Sequence, residues 1–100
     1  DTGFLSENIV CIHLERLCDE LEEVRFWRTK SQAEVDFIMQ KGNENIPIEV
    51  KYRNSPPVGK SMYSVIEKYS PSRAYIITKN IFRVQEEKNC RILFLPIYCL

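Results

Sequence analysis

The 100-residue chain has no apolar run approaching the roughly 18 residues that a membrane span requires, so a transmembrane helix is excluded. Its first residues carry no basic-then-apolar signal pattern. Its charges cancel, 14 basic against 14 acidic, which argues against binding nucleic acid by bulk charge. There is no GxxxxGK(S/T) loop, and hence no ATPase module within these residues. Repeats, linkers and low-complexity stretches are also missing. At 11.8 kDa the chain has room for one small domain and not for a second.

Cysteine and histidine give little chemistry. Cys11, Cys18, Cys90 and Cys99 show no CxxC spacing. On a helix over residues 4–21, Cys11 and Cys18 stand two turns apart, about 10 Å, too far to share a zinc ion or a disulfide. The single histidine, His13, has no evident metal partner and reads as a satisfied helix residue. Four reduced thiols point to a cytoplasmic chain.

What is present is an ordinary globular balance, 44% hydrophobic and 28% charged. The charges are unevenly placed. Residues 1–23 carry seven acids and one base, whereas residues 51–85 carry seven bases and one acid. That leaves room for a local basic surface, or for two solvated amphipathic faces.

Ser6, Glu7 and Asn8, followed by a stripe of Leu5, Ile9, Leu14, Leu17 and Leu21, predict a first helix with Glu7 in its first turn. Strands follow at Val24–Thr29, at Glu34–Gln40 and at Ile46–Tyr52, the last two joined by turn residues Lys41-Gly42-Asn43-Glu44. A second helix from about Gly59 to Tyr69 places Met62, Val65, Ile66 and Tyr69 on one face. The short apolar runs Ala74–Ile77 and Ile92–Leu95 predict strands covered on both faces. The order is therefore αβββαββ, an α/β sandwich with helices on both faces of a mixed sheet. The helix between the third and fourth strands implies a crossover to a parallel neighbour.

Folding the hairpin about Gly42 and Asn43 pairs residues whose numbers sum to 85: Val35 with Val50, Phe37 with Ile48, Met39 with Ile46. All six are apolar and share a face, and a one-residue slip would expose them. The same register sets Asp36 opposite Glu49 on the other face, where two carboxylates about 5 Å apart repel unless something offsets them. A divalent cation does so naturally, since Mg²⁺ takes carboxylate oxygens plus waters. Lys51 lies on the same face, about 7 Å along the strand from Glu49, placed to help neutralise the site and hold a water.

Glu7 on a leading helix, then Glu34-Val35-Asp36-Phe37, then Ile48-Glu49-Val50-Lys51 resembles the PD-(D/E)xK nuclease superfamily, which includes type II restriction endonucleases and archaeal Holliday-junction resolvases. Val35 stands where that name has proline. More narrowly, Asp1-Thr2-Gly3-Phe4, Glu7-Asn8, Phe26-Trp27-Arg28-Thr29-Lys30 and Pro47-Ile48-Glu49-Val50-Lys51 resemble the C-terminal domain of prokaryotic and archaeal AAA-type ATPases. The likeness runs from Asp1 to about Leu95.

The resemblance implies a restriction endonuclease-like fold and Mg²⁺ (or Mn²⁺) held by Asp36, Glu49, the carbonyl of Val50 and Glu7. Lys51 would position the attacking water. It implies DNA as partner, an ATPase module in the same parent chain and no membrane, and it admits a homodimer. It also accounts for a chain that begins at Asp1 rather than Met, as the C-terminal part of something longer. Arg25, Arg28, Lys30, Arg53 and Lys60 are candidate phosphate contacts, which position a substrate without reading its sequence. Three readings stand: a metal-dependent nuclease; a catalytically silent module docking DNA or protein, with Trp27 or a surface tyrosine as anchor; and an assembly domain with a vestigial acidic cluster.

Overall fold

The computed structural model describes residues 2–21, 23–29 and 35–99, with side chains from Leu5 onward. It runs α1 (Thr2–Glu20), β1 (Val24–Arg28), β2 (Phe37–Lys41), β3 (Glu44–Lys51), α2 (Lys60–Tyr69), β4 (Arg73–Thr78), β5 (Arg83–Glu87) and β6 (Cys90–Pro96), then a 3₁₀ turn at Ile97–Cys99. The strands form one mixed sheet in the order β1-β2-β3-β4-β6-β5. β1, β2 and β3 are a meander, β3 pairs with β4 in parallel across the α2 crossover, and β4 pairs with β6 in parallel. This is the α/β sandwich expected of the sequence.

Alternation along the strands divides the core in two. On one face α1 contributes Val10 and Leu14 to a cluster with Val24, Phe37, Met39, Ile46, Ile48 and Ile77. On the other, Met62, Val65 and Ile66 of α2 pack on Ala74, Ile76, Ile92 and Phe94. The β2–β3 register is Phe37 with Ile48 and Met39 with Ile46, as the apolar pairing requires. Gly42, at φ +61°, opens the turn between them in a region that costs glycine nothing.

Four local expectations are corrected. The apolar stripe of α1 is turned: Val10 is fully buried, whereas Leu5, Ile9 and Leu21 are exposed. Leu5, Ile9, Val10, Ile12 and Leu14 spread around much of the helix, so spacing alone selects a neighbouring stripe. Tyr69 is exposed, because it ends α2 beyond the packed sheet. Val35 packs with Met62 and Val65 on the α2 face, not with Phe37, because the chain bends at Asp36 before β2 begins.

Finally, β5 is an additional strand, making the order αβββαβββ. It lies at the sheet edge and mixes Arg83, Gln85, Glu86 and Glu87 with one exposed Val84, so no apolar run marks it. Its hairpin to β6 turns on Lys88 and Asn89, both at positive φ, as a two-residue primed turn demands.

All four cysteines are free. Among the described residues no helix is long and apolar enough to cross a membrane.

Candidate active site

Glu49 and Lys51 are alternate residues at the carboxyl end of β3, on the face that α2 covers. Glu49 is buried at 8% exposure. Lys51 Nζ lies 3.3 Å from Glu49 Oε1. Beside them the chain enters α2 at Gly59, where a Cβ would stand 3.3 Å from Lys51 Nζ and 3.7 Å from Glu49 Oε1. Glycine leaves that space to the ion pair. The second carboxylate oxygen, Glu49 Oε2, is buried with no hydrogen-bond partner among the described residues.

Asp36 reaches the same point differently from the expected ladder. Pairing stops at Phe37 with Ile48, and Asp36 sits in the bend just before β2. Its Oδ2 accepts the backbone N–H of Val50 at 2.7 Å, so a side chain does what a strand carbonyl would otherwise do. The N–H and C=O of one strand residue face the same neighbour, so the Val50 carbonyl opens onto the gap that Asp36 occupies. Thr29 closes the bend from outside, its amide donating to the Asp36 carbonyl at 3.0 Å and its hydroxyl to that of Val35. Burial pushes the Asp36 carboxyl above the usual range, and the charges of Glu7 and Glu49 push it further. The Val50 N–H and Lys51 pull the other way.

Glu7 lies near enough to disfavour ionisation of Asp36, but its own carboxylate is engaged. Glu7 Oε1 holds Arg28 Nη2 at 2.8 Å, and the guanidinium sits 5.5 Å from the centre of the Phe37 ring. Because α1 begins at Thr2, Glu7 is in its second turn, not its first, and its side chain pairs with Arg28 of β1. Among the described residues no three His, Cys, Asp or Glu side chains are grouped closely enough to enclose a metal by themselves. The donor set on offer is two carboxylates near enough for their charges to interact, one of them held by the Val50 backbone. It fits Mg²⁺, which keeps several waters and takes one or two carboxylates.

Of the basic candidates, Arg25, Arg53 and Lys60 are exposed, and Arg28 is paired with Glu7. Lys30 and the Glu34 of the motif lie outside the described residues. Trp27 is 46% exposed and lines a groove of about 870 Å³ with Ile38, Pro47, Val65 and Tyr69, which runs toward the opposite end of β3. The sequence marks Gly59 as the start of the second helix and not as the residue that leaves room for the Glu49–Lys51 pair, and the pairing of Arg28 with Glu7 has no local signal.

Helices on both faces of a mixed sheet, with carboxylates gathered at a central strand's end, define a domain of restriction endonuclease-like architecture. The chain belongs to the family described as Domain of unknown function (DUF4143), whose model matches residues 2–100. It is also 33% identical over 84 residues to UPF0102 protein BHWA1_02005 of Brachyspira hyodysenteriae, a match covering 79% of this chain and 69% of the relative. That relationship joins it to the UPF0102 proteins, a family of restriction endonuclease-like fold, and so to the nuclease-like superfamily. No solved structure matches the chain.

Proposed function

We propose that the domain is a metal-dependent nuclease of the PD-(D/E)xK type that hydrolyses phosphodiesters in DNA and works with an AAA-type ATPase module. The observation that carries this reading is Glu49 Oε2, a buried carboxylate oxygen with no partner among the described residues, near Asp36, whose ionisation is already disfavoured. Leaving a buried acceptor unsatisfied costs about 1–3 kcal/mol, more when it is charged. A divalent cation removes that cost and the repulsion together.

Asp36, Glu49 and the Val50 carbonyl would hold Mg²⁺ or Mn²⁺. Bound there, the ion supplies Lewis-acid polarisation of the scissile phosphate and a water of lowered pKa. Lys51, kept close to Glu49 Oε1 and clear of Gly59, orients the attacking water and stabilises charge gathering on the phosphate oxygens. Glu7 holds the Arg28 guanidinium at the edge of the site, where it can meet a phosphate. The ATPase partnership rests on the sequence resemblance alone.

The test is cleavage of branched, single-stranded and duplex DNA with and without Mg²⁺ or Mn²⁺, by the domain and by its parent chain. Cutting that requires the ion and is lost in Glu49→Ala supports the reading. A folded protein that binds the ion and cuts none of these substrates replaces it with the silent docking module. That second reading is favoured by one observation: Glu7 Oε1 already holds the Arg28 guanidinium.

A further inference from the structure

Two segments flank the Glu49–Lys51 end of the sheet, residues 52–60 after β3 and residues 79–83, from the end of β4 to the first residue of β5. Neither contains an acidic residue, and together they carry Arg53, Lys60, Lys79 and Arg83. Among the described residues none of these four has a carboxylate partner, unlike Arg28, Lys51, Arg73, Lys88 and Arg91.

The segments are built as one surface. The Lys79 amide donates to the Arg53 carbonyl at 3.3 Å, and Arg83 Nη2 donates to the Pro56 carbonyl at 3.2 Å. Arg83 is braced in turn by the Phe94 ring, 4.1 Å below its guanidinium carbon. The buried Thr78 hydroxyl accepts the Ile81 amide and donates to the Ile81 carbonyl, fixing the second segment at its base. The surface also joins the candidate site, because the Arg53 amide donates to the Lys51 carbonyl at 2.7 Å.

Two further features mark it as made for an external anion. Lys60 is the first residue of α2, which has no acid in its first turn and no side-chain cap at Gly59. A cation there opposes the helix dipole, so it lowers stability unless an anion sits nearby. Aromatic rings lie among the cations: Tyr52, with Lys79 Nζ 5.8 Å from its centre, and Phe82, 66% exposed between Lys79 and Arg83. Cations track phosphates of any nucleic acid, but a duplex hides its base faces and offers a phenyl ring nothing to cover it. Unpaired bases do cover such rings, and stacking of that kind is tolerant of sequence.

We propose that residues 52–60 and 79–83 form a platform for a single-stranded DNA segment adjoining the scissile phosphate. Arg53, Lys60 and Lys79 hold its phosphates, Phe82 stacks on an unpaired base, and Arg83 is a positioning residue that keeps the two segments together. This rests on the nuclease reading for the meaning of the neighbouring site, but it is tested by binding alone.

The experiment measures anisotropy of a fluorescein-labelled oligothymidine and of a blunt duplex of equal length. It uses Glu49→Gln protein without divalent ion, so that no strand is cut. Single-stranded DNA is expected to bind tighter. Adding Phe82→Ala should weaken it roughly tenfold with little change for the duplex. Arg53→Ala with Lys79→Ala should weaken both forms and flatten the salt dependence for the single strand by about 0.7 per residue removed. Lys88→Ala, an equal charge lost at the far β5–β6 turn, should change nothing.

Preference for the duplex, indifference to Phe82→Ala, an equal loss in Lys88→Ala, or no binding of either DNA overturns the platform. Binding as expected with no cutting by the wild type removes only the nuclease reading.

Discussion

The two ends of β3 treat a glutamate in opposite ways. At its start Glu44 accepts hydrogen bonds from Ser72 Oγ and from Arg73 Nε, the latter at 3.0 Å, and these partners hold its carboxyl below the usual range. At its far end Glu49 is more deeply buried and, among the described residues, has one ion pair at 3.3 Å and an oxygen with no partner, near a second carboxylate. Glu44 is a finished structural contact. Glu49 keeps a buried oxygen unsatisfied, and a buried acceptor of that kind calls for an explanation, which the proposed cation would supply.

The contrast breaks most sharply on activity. Glu49→Ala should abolish ion-dependent cleavage, since even groups that only support metal ligands are worth about 10- to 100-fold. Glu44→Ala should cut at the wild-type rate. A gel assay of nicking settles the pair, and equal rates in both variants would make β3 a structural strand at both ends.

Next in size is Lys51→Ala, which removes charge stabilisation near the phosphate and should slow cleavage by about 10²-fold. Ion binding, followed by calorimetry, should change little because the lysine is not a ligand. It should also destabilise the metal-free protein, by less than the 3–5 kcal/mol of a fully buried pair because Lys51 is partly solvated. Loss of ion affinity in step with rate would show that Lys51 merely holds Glu49 in place.

Much of this end was legible in the sequence because strand pairing leaves few choices. Phe37, Met39, Ile46 and Ile48 admit one register, and that register puts Glu49 and Lys51 on the face opposite the α1 cluster. The bend at Asp36 was not legible, since alternation runs straight through Val35 and Phe37, and only the fold shows Val35 crossing to α2. Glu7 was found by resemblance, yet its partner Arg28 is 21 residues away, and no local pattern encodes such a contact. β5 escaped notice because an edge strand is half solvated and has no need of the apolar run that marks a buried one. The unpaired cations after β3 were visible as a composition shift. Their assembly with residues 79–83 was not.

A smaller effect separates the two ends in the metal-free state. The Asp36 carboxyl is raised by burial and by neighbouring acids, so the folded protein binds its proton more tightly than the unfolded chain does. Stability therefore falls as pH rises from the ordinary aspartate value through the folded one. Asp36→Asn should raise the melting temperature at pH 7 by an amount equivalent to about 1 kcal/mol, within the range of opposed like charges. The gain should vanish below about pH 3, where both forms are neutral. Mg²⁺ should reverse the order by stabilising the wild type. A variant no more stable than the wild type at neutral pH would mean that the Val50 contact outweighs the repulsion.

Smallest is Glu44→Gln. Here the folded carboxyl is depressed, first by Ser72 and then by Arg73, so its contribution is present above the ordinary glutamate value and is lost as pH falls through the folded one. Ser72 can still donate to the amide oxygen, leaving the charge on Arg73 as the main loss. Both partners of that ion pair are about one-third exposed, so solvent screens it and the cost at pH 7 should stay under about 1 kcal/mol. Urea titrations at low and high salt should show the difference shrinking as salt rises, with none in acid. A loss that ignored salt would place the work in the hydrogen-bond geometry around Ser72, and Glu44 would then resemble a cap on β3 more than a charge.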